Sequence, residues 1–103
     1  MNTMTITQPV GFADFEALAR AQGYDEVVER VWAAGTVLDD HRHPFEVQAL
    51  VVRGEMWLQV DGGDDRRLLP GDTFALDADV PHRERYGAEG ATYWVARRNR
   101  TAA

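Results

Sequence analysis

Residues 35–54 read GTVLDDHRHPFEVQALVVRG, and residues 70–82 read PGDTFALDADVPH. Between them these stretches hold all the histidines of the chain: His41, His43 and His82. In an extended strand, residues two apart point to the same face, so the imidazoles of His41-Arg42-His43 can converge on one point. Imidazole is the commonest metal-ligating side chain near neutral pH. By itself a His-x-His in the charged run Asp39-Asp40-His41-Arg42-His43 also reads as two surface histidines. The surroundings add to it. Gly35 precedes His41 by six residues, Gln48 follows His43 by five, and Gly54 follows Gln48 by six. Pro70-Gly71-Asp72 comes next, and ten residues beyond Asp72 stands His82, preceded by Pro81.

Outward from these stretches the chain reads as short strands. Residues 1–10 are polar and form an arm or an added edge strand. Phe12, Phe15, Leu18 and Ala19 recur at helical intervals, which predicts an amphipathic helix over 12–22 that packs its Phe12/Phe15/Leu18 face on the outside of the β structure. Gly23 supplies its stop. From there the period is two. Val27, Glu29, Val31 and Ala33 share one face, and Val28, Arg30 and Trp32 the other. Further extended segments are expected at 36–43, 46–53, 55–60, 66–69, 73–76, 80–86 and 91–98. They are separated by Gly54, by Asp61-Gly62-Gly63-Asp64, by Pro70-Gly71-Asp72 and by the turn over 87–90. One helix followed by roughly eight or nine short strands predicts an all-β barrel or jelly roll spanning residues 24–98, with a solvated tail at 99–103.

At 103 residues the chain holds one domain, and a chain this size buries ~65% of its unfolded surface. With no cysteine, disulfides, thiolate zinc sites and cysteine nucleophiles are excluded. All eleven cations are arginine, which excludes lysine Schiff-base chemistry. The net charge of −6 argues against a nucleic acid or an anionic membrane as partner. No apolar run approaches the ~18–20 residues of a membrane span. The N-terminus lacks the basic and apolar regions of a secretory signal, so a cytoplasmic protein is expected.

Taken together, the two quoted stretches resemble the motifs of the cupin superfamily. In that family a glycine precedes His-x-His, then a Glu or occasionally Gln, then a later glycine; the second motif is Pro-Gly-Asp with a downstream His. The resemblance covers residues 35–86 and implies a cupin β-barrel, a double-stranded β-helix. It also implies a single divalent transition-metal ion (Zn, Fe, Ni, Mn or Co) held by His41, His43, Gln48 and His82. Small cupins that ketonise unsaturated uronates are similar in using His, His, Gln, His. Here the family's usual carboxylate ligand is not cleanly present: Gln48 and Val47 stand at its two spacings, and Glu46 lies one residue before. A second reading leaves Gln48 to hydrogen-bond a water beside a three-histidine site, and a third leaves the barrel without metal.

By strand parity Glu84 and Tyr86 face the same side as His82. Glu84 is thus a candidate general acid or base, and Tyr86 a candidate to orient substrate or donate a proton. The alternative ends the strand at Arg83, with Glu84 paired to Arg83 or Arg85 at the mouth. Leu50, Val52, Met56 or Trp57, and one of Tyr93 or Trp94, are expected to wall the interior. The function expected is that of an enzyme on a small oxygenated metabolite. It would use Lewis-acid chemistry of an isomerase or hydrolase type, or act as an iron-dependent dioxygenase. The alternative is a non-catalytic small-molecule sensor. A homodimer is expected, because the 91–98 strand and the arm offer edges and apolar surface, as small cupins commonly do.

Overall fold

The computed structural model describes residues 11–99; the arm expected over 1–10 and the tail beyond Asn99 lie outside them. The helix α1 runs Phe12–Ala21, and six strands follow: β1 (Glu26–Trp32), β2 (Val37–His41), β3 (Phe45–Val60), β4 (Arg66–Leu68), β5 (Thr73–Leu76) and β6 (His82–Asn99). Among the described residues, no helix is long and apolar enough to cross a membrane.

The expected breaks at Gly54 and over 87–90 are not breaks. β3 and β6 run through them as two long antiparallel strands, paired from Phe45↔Asn99 to Val60↔His82. Each is bent near its middle. The register slips between Val51 and Arg53 and again between Gly54 and Met56, where β6 places the run 87–90 opposite Glu55. One half of the β3–β6 ribbon takes β5 beside β3, and β1 beside β6. The other half takes β4 beside β3, and β2 beside β6. Two four-stranded sheets joined by one bent ribbon make the jelly roll.

Glycine is required where the ribbon bends. Gly54 has φ +80°, and a Cβ there would stand 2.1 Å from the carbonyl oxygen of Gly90. Gly90 has φ +72°, and a Cβ there would stand 2.2 Å from the carbonyl oxygen of Trp32. Backbone meets backbone at both points, so no side-chain rotation relieves the clash.

The same bend reverses strand parity. In the first half of β3 the odd positions Val47, Ala49 and Val51 are inside, and past the bend the even positions Met56 and Leu58 are. The inner wall therefore uses Val47, Ala49 and Val51 rather than the expected Leu50 and Val52. Met56 and Tyr93 are inside, as two of the expected alternatives. Trp94 faces out, where its ring meets Phe12 and Phe15 at 5.7 and 5.9 Å. Helix α1 covers this outer face through Phe12, Phe15 and Ala19, against Val27 and Ala96. Leu18 does not join them. It is 54% exposed, because the stripe continues four residues after Phe15 at Ala19, about 100° further round the helix than Leu18.

Gly54→Ala is expected to destabilise the protein by at least about 2 kcal/mol, since the backbone itself must move. A control change at Gly62, whose Cβ would meet nothing within 4 Å, should cost less despite its φ of +74°. Urea denaturation of the two variants reads the difference.

Candidate metal centre

His41 ends β2, His43 follows in the connection to β3, and His82 opens β6 opposite His41 in register. This pairing joins the two motifs, which lie some forty residues apart in sequence. The ring centroids of His41 and His82 are 4.3 Å apart, those of His43 and His82 4.8 Å, and those of His41 and His43 5.7 Å. One ring nitrogen from each lies within 4.8 Å of the others.

The outer hydrogen bonds set which nitrogen faces inward. His41 Nδ1 stands 2.7 Å from the Asp39 carbonyl and His82 Nδ1 3.0 Å from that of Val80. A carbonyl only accepts, so Nδ1 carries a proton in both rings, and Nε2 is the atom turned toward the cluster. His82 is 1% exposed, and its Nε2 is buried without a hydrogen-bond partner. Burial first, then the neighbouring His82 and His41, lower the His43 pKa from the usual 6.5 to about 4. Its ring is neutral at physiological pH, as a metal ligand requires.

Glu84 joins the cluster from β6, two residues after His82 and on the same face. It is 6% exposed, and its Oε2 lies 3.4 Å from His41 Nε2 and 3.6 Å from His82 Nε2. Its Oε1 accepts a hydrogen bond from the Tyr86 hydroxyl and stands 3.4 Å from that of Tyr93. Burial, reinforced for Tyr93 by the Glu84 charge, pushes both phenols above their ordinary pKa, so both remain neutral donors. Tyr86 stacks on Trp32, 5.4 Å between centroids. Glu84 is thus inside the barrel, and the mouth pairing with Arg83 or Arg85 does not form: Arg83 reaches Asp40 and Arg85 reaches Asp65.

Gln48 is not at this point. It is exposed on the outer face of β3, where its Oε1 accepts a hydrogen bond from the Tyr24 hydroxyl at 2.9 Å. Glu46 is also elsewhere, paired to Arg98 at 3.0 Å. Inward parity runs unbroken from His43 through Phe45 and Val47, so the even positions turn outward. Counting by two from His43 would have found this; the motif spacing drew attention to Gln48 instead.

The donor set fits a cation. Glu84 Oε2 faces the Nε2 atoms of His41 and His82 at 3.4 and 3.6 Å, too far for good hydrogen bonds. Ligand atoms about 2.0–2.2 Å from one ion stand roughly 3.0–3.5 Å apart. The cluster opens into a cavity of about 500 Å³ whose apolar wall includes Val47, Phe74, Leu76 and Val95.

The family model described as "Cupin domain" matches residues 28–96. The chain belongs to the cupin family. No curated protein sequence matches it. Among solved structures, it is similar to the DMSP lyases RdDddP and RnDddQII (26% identity over 71% of this chain and 37% of that chain, TM-score 0.66). The DMSP lyase DddQ from Ruegeria pomeroyi DSS-3 is 28% identical over 75% of this chain and 38% of that one, with a TM-score of 0.63. The chain thus spans well under half the length of these lyases. KdgF from Halomonas sp. shares the fold, with 24% identity over 72% of this chain and 69% of its own and a TM-score of 0.61.

Between pH 6.5 and about 4 the unfolded chain binds a proton that folded His43 refuses. The stability tied to His43 is present in full above pH 6.5 and is lost as pH falls through that window. The metal-free protein should therefore melt progressively earlier from pH 6.5 to 4, and His43→Asn should flatten part of that slope. Thermal melts in chelator at half-unit pH steps measure it.

Proposed function

We propose that the protein is a metal-dependent enzyme acting on a small oxygenated metabolite. His41, His43 and His82 hold one divalent transition-metal ion through nitrogen, and Glu84 is its fourth donor in the role expected of Gln48. The observation that carries this reading is the meeting of the His41, His43 and His82 rings in the wall of a cavity, with the buried Glu84 carboxylate 3.4–3.6 Å from two of them. Mixed nitrogen and oxygen donors without thiolate suit Zn²⁺, Fe²⁺, Ni²⁺, Mn²⁺ or Co²⁺. Such an ion, when bound, supplies a Lewis acid that polarises a substrate oxygen.

The chain's own residues do the rest. Glu84 brings the negative charge that three imidazoles lack, and it is kept in place by the Tyr86 hydroxyl. Tyr86 is therefore a positioning residue, held by its stacking on Trp32, rather than the substrate contact expected from parity. Tyr93 lines the cavity and remains a neutral phenol, so it is the hydroxyl able to donate to a substrate oxygen or return a proton. The apolar wall limits water at the reacting group. Similarity to DMSP lyases makes DMSP the first compound to offer.

Metal content of untagged protein should approach one equivalent, and His82→Ala should reduce it to background. Glu84→Gln should weaken metal binding at least tenfold, while Gln48→Ala leaves it within twofold. Elemental analysis and competition with a chromogenic chelator read these changes. A His82→Ala protein that keeps a full equivalent overturns the reading.

A further inference from the structure

Arg97 is left unexplained by the centre described above. It lies on β6 two residues after Val95, on the inner face, and its side chain is only 23% exposed. Its guanidinium carbon sits 4.9 Å from the centroid of the Phe45 ring, and the same ring stacks on His43, parallel within 2° at 4.5 Å. Phe45 therefore packs against both a fixed positive charge and one of the three clustered imidazoles. Arg97 contributes to the depression of the His43 pKa, in keeping with that proximity.

The guanidinium is poorly satisfied. Among the described residues its Nε is buried with no hydrogen-bond partner, and its one ion pair, to Glu26, is long at 3.6 Å with Glu26 itself 53% exposed. A buried donor left unpaired costs stability, so such a group signals a role outside stability. The planar fork of arginine matches a carboxylate with two parallel hydrogen bonds. A second arginine, Arg30 of β1, lines the same cavity with its guanidinium 4.9 Å from the Trp32 ring. The acids of the lining are Glu84, occupied by the cluster, and Asp39.

We propose that Arg97 is a carboxylate-binding residue, and that the substrate is a small organic acid whose carboxylate it holds while a second oxygen reaches the three-histidine centre. The inference rests on the proposed metal centre for the second contact but not for the first. The apolar wall between the two ends fits a short carbon chain rather than a compact inorganic anion.

The test uses the full chain, zinc-loaded and metal-free, titrated calorimetrically with butyrate, butyramide and inorganic phosphate. Butyrate should bind both forms, and butyramide neither. Arg97→Met should weaken butyrate at least tenfold in both forms without lowering the melting temperature, because methionine keeps the packing on Phe45 and removes a desolvated charge. Glu26→Gln should tighten butyrate by freeing the guanidinium. Arg97→Lys keeps the charge without the fork and should bind between wild type and Arg97→Met. Undiminished butyrate binding by Arg97→Met, or phosphate binding as tightly as butyrate, overturns the proposal. So does a melting temperature lowered by Arg97→Met, which would make the residue structural. Wild-type protein that takes up no metal yet binds butyrate through Arg97 sinks the metal centre alone and sustains this proposal.

Discussion

The close passage of two backbones at Gly54 and Gly90 governs this molecule. β3 and β6 are the longest strands and pair along nearly their whole length. A straight ribbon of that length would leave one apolar face open to water. Bending it where neither strand carries a side chain folds the ribbon onto itself, so that the two halves face each other across a common core. β1, β2, β4 and β5 then add to edges that already exist. The bulged register at the bend exchanges which side chains face inward, so the core draws on odd positions before it and even positions after it in β3, and the reverse in β6.

The candidate metal centre follows from the same ribbon. His82 and Glu84 lie at its β6 end, and β2 pairs there through His41 and His82. The cost of gathering lone pairs and a carboxylate in a poorly solvated place is considerable. Carbonyls of Asp39 and Val80 orient two of the rings, and the Tyr86 and Tyr93 hydroxyls stand at the far carboxylate oxygen. What remains unsatisfied is the interior point itself, with His82 Nε2 unpartnered beside it. An unpartnered buried ring nitrogen beside a carboxylate is a feature that suits a ligand site.

The chain carries a net −6, and in the cavity wall two arginines, Arg30 and Arg97, stand with two acids, Glu84 and Asp39. Cations inside a cavity with apolar walls act at short range and with little screening. Arg97 faces inward, although Arg98 beside it turns out to pair with Glu46. Adjacent arginines thus have unrelated surroundings, because successive strand residues point to opposite faces.

Spacing and turn chemistry alone were sufficient for the all-β class, the short amphipathic helix and the shared face of His41 and His43; that His82 meets them was implied by the resemblance to the cupin motifs. The first three depend on local periodicity, on glycine and proline at turns, and on residues two apart sharing a face. The partner of the histidines was not legible in that way. Gln48 has the motif's spacing, but strand parity carried through from His43 turns it to the outer face, while Glu84, already on the His82 face, brings the carboxylate instead. Nor did the local sequence distinguish a turn from a bend at Gly54 and over 87–90. Glycine permits both, and only the strand lying opposite decides between them. Which face became the interior, and so which charged residues line the cavity, was decided by tertiary structure, because one bulge inverts every side chain beyond it.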